Sequence, residues 1–252
     1  AEGTVLGGRR IVALSLPSVL AGTTYRGQFE ERLEEILNAL RDRPDIILFL
    51  DELPEFGARV LEVLRQPIED KMVTISRAQG SLTFPANCQL IAAMNPCPCG
   101  YHGTQQRPCT CPPGAMERYQ RRLSGPLRDR FDLAIDLPAV TWAEMTQTTT
   151  GEGSSVVRER VAAARARQIA RQGRLNSRLE GRQEQMFCRL ADPRAETLLG
   201  QAVTRFGLSA RSTTRILRVS RTIADIEGDG RVTARHLAEA LQFRLMDRPG
   251  SV

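Results

Sequence analysis

The run Ile46-Ile47-Leu48-Phe49-Leu50-Asp51-Glu52 constrains this chain more than any other segment. Its consecutive apolar side chains leave no polar face for solvent. The run therefore reads as a strand covered on both faces, the environment of a parallel sheet flanked by helices. Two adjacent carboxylates close it, where such a sheet meets water. An Asp at that point can hold the Mg²⁺ of a bound nucleotide, and the next Glu can polarise an attacking water. This is the Walker B arrangement of ATP-driven motors. Its plain alternative is a buried strand followed by an ordinary acidic turn.

With 252 residues, 41% of them hydrophobic, the chain can bury a sizeable core and is expected to divide into two domains. No apolar stretch approaches the roughly 20 residues that span a bilayer. The segment Ala1 to Arg10 carries no signal-peptide pattern and does not begin with Met. A cytoplasmic protein with no membrane partner, and a fragment of a longer one, is the expectation. Net charge is +6, and Lys71 is the only lysine, so the basic residues are almost all Arg. That balance suits phosphate-rich partners, nucleotide or nucleic acid, although an Arg-rich composition alone produces it too. A phosphate-cradling G-x-x-x-x-G-K-[ST] loop needs a lysine after glycines, and Lys71 follows Glu69-Asp70. No such loop exists in these residues. The expectation is that the nucleotide-binding half lies upstream of Ala1 or has been lost.

Along the chain, residues 9–16 read as a strand and 28–41 as an amphipathic helix with Phe29, Leu33, Ile36, Leu37 and Leu40 on one face. Arg43-Pro44 ends that helix ahead of the acidic-ended strand. A helix over 57–66, a hairpin of strands 72–76 and 81–84, a buried strand over Gln89–Met94, a helix over 115–123 and a final strand over Phe131–Leu137 complete an α/β layered unit. From about residue 141 the pattern is helical only. Thr141 with Glu144 forms a capping box, Gly151 to Ser155 is a joint, and 156–172, 194–206, 210–226 and 233–246 are helices. The expected division is 1–140, an α/β core, and 141–252, a small α-helical domain.

Several residues at these element ends carry chemistry. Asn95, closing the strand after Asp51-Glu52, can orient a water against a γ-phosphate; Asn95-Pro96 is equally a turn signal. Arg128 and Arg130, presented just before a strand, can reach a neighbouring subunit's phosphate, or can be surface arginines. Arg211 follows Ser209, a predicted N-cap, and its guanidinium would add to the positive helix end in holding a phosphate. Its alternative is a solvated helix start. Cys97, Cys99, Cys109 and Cys111 form two C-x-C pairs in one loop and suit a tetrahedral Zn²⁺ site, with His102 as a substitute ligand. Free or redox-active thiols are the other reading. Cys88 and Cys188 sit in apolar segments and read as small core residues. The hairpin tip, with Ser76, Arg77 and Gln79, could grip a nucleic-acid backbone, or be a plain surface hairpin.

From Leu48 to the C-terminus the chain resembles the magnesium-chelatase-like AAA+ proteins of the ComM/YifB type. The residues that carry this are Phe49-Leu50-Asp51-Glu52-Leu53-Pro54-Glu55-Phe56, Val73-Thr74-Ile75-Ser76-Arg77, Ala93-Met94-Asn95-Pro96-Cys97-Pro98-Cys99-Gly100-Tyr101, Arg118-Tyr119-Gln120-Arg121-Arg122-Leu123-Ser124-Gly125-Pro126-Leu127 and Leu208-Ser209-Ala210-Arg211. The resemblance implies an AAA+ P-loop-type parallel sheet sandwiched by helices, incomplete here without its P-loop, followed by a helical lid. It implies a ring-forming, hexameric ATPase using ATP and Mg²⁺, linked to DNA as a branch-migration helicase in natural transformation. Within it Asp51 and Glu52 would be Walker B, Asn95 sensor 1, Arg130 the arginine finger and Arg211 sensor 2. The first 48 residues depart from that pattern. Gly8-Arg9-Arg10-Ile11-Val12-Ala13-Leu14 and Tyr25-Arg26-Gly27-Gln28-Phe29-Glu30-Glu31-Arg32-Leu33 resemble the first ATPase module of Clp-type unfoldases, where Tyr25-Arg26-Gly27 would grip a protein substrate.

The leading expectation is an AAA+ ATPase module of a DNA-remodelling motor. A Clp-type protein-unfolding ATPase and a non-catalytic DNA-binding fragment are the alternatives. Lacking a P-loop, the 252-residue chain alone is expected to show no micromolar affinity for a fluorescent ATP analogue in equilibrium titration; saturable micromolar binding would contradict the phosphate-loop argument.

Overall fold

A computed structural model describes residues 10–14, 46–77, 80–85, 89–104, 107–146 and 151–244. The chain forms two compact units, residues 1–130 and 131–252. In the first, β1 (Arg10–Leu14), β2 (Ile46–Leu50) and β5 (Gln89–Ala92) form a parallel sheet in the order β1-β2-β5. The register pairs Leu14 with Leu50 and Leu50 with Ala92. The apolar run takes the central place that its composition demands, with Ile46, Ile47, Leu48 and Leu50 all buried. The strand over 89–92 was expected to be buried, and it is not: Gln89 and Ile91 are exposed. Among the described strands it stands at one end of the sheet, with β2 as its neighbour.

After β2 comes a short 3₁₀ turn, Leu53–Phe56, whose Leu53, Pro54 and Phe56 are buried. The helix expected over 57–66 is two, α1 (Ala58–Val63) and α2 (Arg65–Asp70), meeting at Leu64. Pro67 explains the break, because it has no N–H to continue the α1 ladder and restricts the residue before it. The hairpin is present as β3 (Met72–Arg77) and β4 (Gly80–Pro85), antiparallel, with Arg77 opposite Gly80. A cysteine-bearing loop leads from β5 to α3 (Ala115–Gln120), and α4 (Gly125–Arg128) follows, N-capped by Ser124 accepting from the Leu127 N–H. Among the described residues no helix is long and apolar enough to cross a membrane.

The second unit opens with a correction. Residues 131–137, expected as a strand, run without a ladder; the Ala134 N–H donates to the Phe243 carbonyl instead. Alternating apolar residues make a strand only beside a partner, and Leu133, Ile135 and Leu137 stand exposed. The helices fare better: α5 (Trp142–Thr146) carries the Thr141–Glu144 capping box, followed by α6 (Ser154–Gln172), α7 (Arg182–Phe187), α8 (Pro193–Phe206), α9 (Ala210–Glu227) and α10 (Ala234–Gln242). Ala195, Ala202, Leu208, Ile216, Ile223, Leu237, Ala240 and Leu241 form a core shared by α8, α9 and α10.

A charged network lies inside this unit. Asp225, 1% exposed, accepts from Arg171, from Arg221 at 2.9 Å and from Asn176 Nδ2 at 2.8 Å. Burial opposes its ionisation, yet the bonds from Arg171 and Asn176 and the Arg221 charge prevail and hold the carboxyl below its ordinary 3.8. A carboxylate with a depressed folded-state pKa stabilises fully above its ordinary value and loses that stabilisation as pH falls through the folded one. Asp225→Asn leaves Arg221 buried without its counter-charge and is expected to cost about 3–5 kcal/mol in urea unfolding at neutral pH. The difference from wild type should shrink below the ordinary aspartate pKa; a cost under ~1 kcal/mol would contradict the network's role.

Candidate functional site

The acidic pair owes its position to one residue of the neighbouring strand. The Ala93 N–H donates to the Leu50 carbonyl at 2.9 Å, and the Leu53 N–H donates to the Ala93 carbonyl at 2.9 Å. Both bonds end on Ala93, so Asp51 and Glu52 are looped out opposite it. The loop-out requires a left-handed step, and Glu52 takes it, at φ 52° and ψ 46°. Only Glu52 and Lys71 among the described non-glycine residues have positive φ. For a residue with a side chain this conformation costs on the order of 1 kcal/mol, and such strain collects at functional sites.

Asp51 and Glu52 are exposed, and Asp51 Oδ1 accepts the Glu52 N–H at 3.0 Å. Neither carboxylate has a cationic partner among the described ion pairs. The turn beneath them is held by Arg122, which donates to Glu55 at 2.7 Å and to the Pro54 carbonyl. Two residues past Ala93, Asn95 is exposed at the same carboxyl edge of the sheet. Sheet topology therefore brings Asp51, Glu52 and Asn95 together at the end where ligands of open parallel sheets bind. Exposed hard-oxygen donors suit Mg²⁺.

The arginines are placed differently from one another. Arg130 is 8% exposed, ion-paired with Glu69 and donating to the Pro126 carbonyl at 2.6 Å. A role outside this subunit requires exchanging those partners. Arg128, at the end of α4, is half-buried. Arg211 lies exposed in the first turn of α9, where Ser209 accepts from the Ser212 N–H as the expected N-cap. Ser76 and Arg77 end β3, while Gln79, Tyr25 and Cys88 lie outside the described residues.

The four loop cysteines converge. Cys97, buried, and Cys99, Cys109 and Cys111 have sulfurs all within 4.8 Å of one another. Cys97, Cys99 and Cys109 have sulfurs 3.3, 3.7 and 3.6 Å apart in pairs, far longer than an S–S bond of about 2.05 Å. A tetrahedral ion with metal–sulfur bonds of about 2.3 Å places its ligands about 3.8 Å apart, so the cluster is close to the size of such a cage. The Tyr101 amide pulls the Cys99 thiol down to about 5, whereas burial and the adjoining sulfurs push Cys111 up to about 12. A divalent cation replaces the protons that such crowding otherwise retains.

One cluster escaped the sequence reading. His236, fully buried, lies with Nε2 2.8 Å from Glu227 and 3.1 Å from Asp229. Its Nδ1 accepts the Thr233 N–H at 3.0 Å, which puts the ring proton on Nε2 and leaves no lone pair there for a metal. It is a helix cap for α10. A histidine at the third helical position, where Glu or Gln is the usual cap partner, gives a weak sequence signal.

Two family models match the chain: Magnesium chelatase, subunit ChlI, over residues 8–145, and Magnesium chelatase, subunit ChlI C-terminal, over residues 151–244. The chain belongs to the magnesium chelatase ChlI family. Its α/β sheet followed by a helical unit is the AAA+-like organisation of that family. It is 48% identical over 204 residues to competence protein ComM of Haemophilus influenzae, covering 80% of this chain and 39% of the relative. It is 47% identical to the protein YifB of Salmonella typhimurium, again over 80% of this chain and 40% of the relative. A shorter match, 53% over 49 residues, links 19% of the chain to 6% of a ClpA homolog of Fuscovulum blasticum. The chain spans about two fifths of the length of the curated relatives it matches most extensively.

The Arg130–Glu69 pair is testable by itself. Glu69→Ala is expected to lower unfolding stability by roughly 1.5–3 kcal/mol, because a guanidinium 8% exposed loses its charged acceptor. An unchanged urea midpoint would show Arg130 free to leave its pocket at no cost.

Proposed function

We propose that this chain supplies the hydrolytic half of an ATPase site in a ring-forming, hexameric motor that remodels DNA. The observation that carries the proposal is the pair of hydrogen bonds to Ala93, which extrudes Asp51 and Glu52 beside Asn95 at the carboxyl edge of a parallel sheet. The phosphates themselves need a glycine-rich cradle that these 252 residues do not contain. When bound with ATP, Mg²⁺ neutralises charge on the transferring phosphoryl group.

In this reading Asp51 holds that ion through its carboxylate. Glu52 accepts a proton from, or polarises, the attacking water, and Asn95 orients the same water by hydrogen bonding. Arg211 presents its charge with the N-terminus of α9 toward phosphate. Arg130 is assigned to a neighbouring subunit's γ-phosphate, after exchange of Glu69 for that more highly charged acceptor. The hairpin end bearing Ser76, Arg77 and Gln79 is assigned to the nucleic-acid backbone, and the net charge of +6 favours that contact. The soft donor set of the four cysteines is assigned to a structural Zn²⁺.

The short likeness to a ClpA homolog supports a second reading, a motor acting on protein substrates. The experiment uses a longer polypeptide carrying these residues together with a P-loop. Glu52→Gln should abolish ATP turnover and ATP-driven DNA strand movement while nucleotide binding persists. Retained turnover would contradict the role of Glu52. Salt-sensitive DNA binding that is indifferent both to ATP and to Glu52→Gln would favour a non-catalytic DNA-binding module.

A further inference from the structure

The cysteine loop folds back onto Asn95. The chain reverses between Cys97 and Gly100, closed by the Gly100 N–H donating to the Cys97 carbonyl at 3.0 Å. Gly100 has φ +81°, and a methyl group built on its Cα would sit 3.9 Å from both Cγ and Oδ1 of the Asn95 side chain. On another side of Asn95, the buried Tyr119 accepts the Asn95 backbone N–H through its hydroxyl oxygen. Gly100 lies between Cys99 and Cys109, inside the loop that the cysteines close, and Tyr119 stands on the helix that immediately follows it. Asn95 therefore lies beside the Cys97–Gly100 turn, its side chain at ordinary contact distance from the place a Gly100 Cβ would take, and its backbone is held by Tyr119.

A bound ion would lock that geometry. Sulfurs 3.3–3.7 Å apart repel once ionised, and a divalent cation turns the repulsion into four bonds. A metal tying Cys97 and Cys99 to Cys109 and Cys111 also fixes the turn that ends at Gly100. Positive φ at Gly100 shapes the turn beside the carboxamide, and a residue with a Cβ would be strained there by its backbone conformation.

We propose that metal held by Cys97, Cys99, Cys109 and Cys111 positions Asn95, so that the occupancy of the sulfur cluster sets whether the carboxamide stands ready at the sheet edge beside Asp51 and Glu52. The metal touches neither nucleotide nor water; it acts through the Cys97–Gly100 turn and through Tyr119. This rests on the assignment of Asn95 to the attacking water and deepens it into a form of control.

The chain contains only four asparagines, Asn38, Asn87, Asn95 and Asn176, so ¹⁵N-asparagine labelling gives a spectrum simple enough to follow each one. Asn95 is assigned by the signals lost in Asn95→Asp. Titration of the reduced, metal-free chain with Zn²⁺ to one equivalent should shift the backbone and carboxamide signals of Asn95 and slow its backbone amide exchange at least ~10-fold. Asn176, in the helical unit, should not respond. Gly100→Ala keeps all four thiols and should still bind one equivalent while losing the response of Asn95.

Stoichiometric binding that leaves Asn95 unmoved, or a response undiminished in Gly100→Ala, would overturn the inference. Substituting Co²⁺ reports the cluster separately: absence of thiolate-to-cobalt charge-transfer absorption would remove the metal itself and the inference with it. Failure of Glu52→Gln to affect ATP turnover bears on the nucleotide assignment alone, since the spectra need no nucleotide.

Discussion

Everything proposed for the α/β unit depends on the pairing of two parallel strands through one alanine. Ala93 donates to Leu50 and accepts from Leu53, and the two residues between have no place in the ladder. The buried anchor on each side, Leu50 at 1% exposure and Leu53 at 2%, prevents the chain from relaxing by pulling the acidic pair inward. Glu52 absorbs the geometry in a left-handed conformation that its side chain disfavours. Burial of the apolar flanks therefore drives both the exposure of the carboxylates and the local strain, a division of labour common at sites presented by rigid scaffolds.

The surroundings supply rigidity where the acidic turn has none. Arg122 clamps Glu55 and Pro54 beneath it, and Ser124, the N-cap of α4, donates to Glu62 on α1 while Arg65 approaches the same carboxylate at 2.6 Å. Among the described residues no ion pair engages Asp51 or Glu52. In the helical unit the same chemistry is turned inward. Asp225, Arg171, Arg221 and Asn176 satisfy one another under the α9–α10 connection, and His236 caps α10 with a fixed tautomer. The contrast is physical: buried charges are paired and structural, whereas the exposed carboxylates at the sheet edge have no ion-pair partner among the described residues.

Much of this was legible in residue order. Five apolar residues followed by Asp51-Glu52 define a central strand and its polar end without reference to any neighbour, and the C-x-C pairs define a cluster. The helices of the second unit announced themselves through caps such as Thr141, Ser209 and the Gly228-Asp229-Gly230 break. What stayed hidden depends on partners distant in sequence. Residues 131–137 alternate like a strand but pair with no strand among the described residues. The burial of Arg130, in the turn after α4, depends on Glu69 of α2. The left-handed Glu52 follows from the pair of hydrogen bonds to Ala93, which no local propensity encodes. The helix α7 was missed because its Arg-Gln-Glu-Gln composition gives a weak apolar stripe.

The most direct test of the central claim is the structure of a longer polypeptide containing these residues and a P-loop, assembled with Mg²⁺, ADP and aluminium fluoride. The account predicts the Asp51 carboxylate in the coordination sphere of the ion, directly or through one water. It also predicts Glu52 and Asn95 both within hydrogen-bonding distance of the water in line with the fluoride. A nucleotide bound elsewhere, with Asp51, Glu52 and Asn95 left facing solvent, would contradict it.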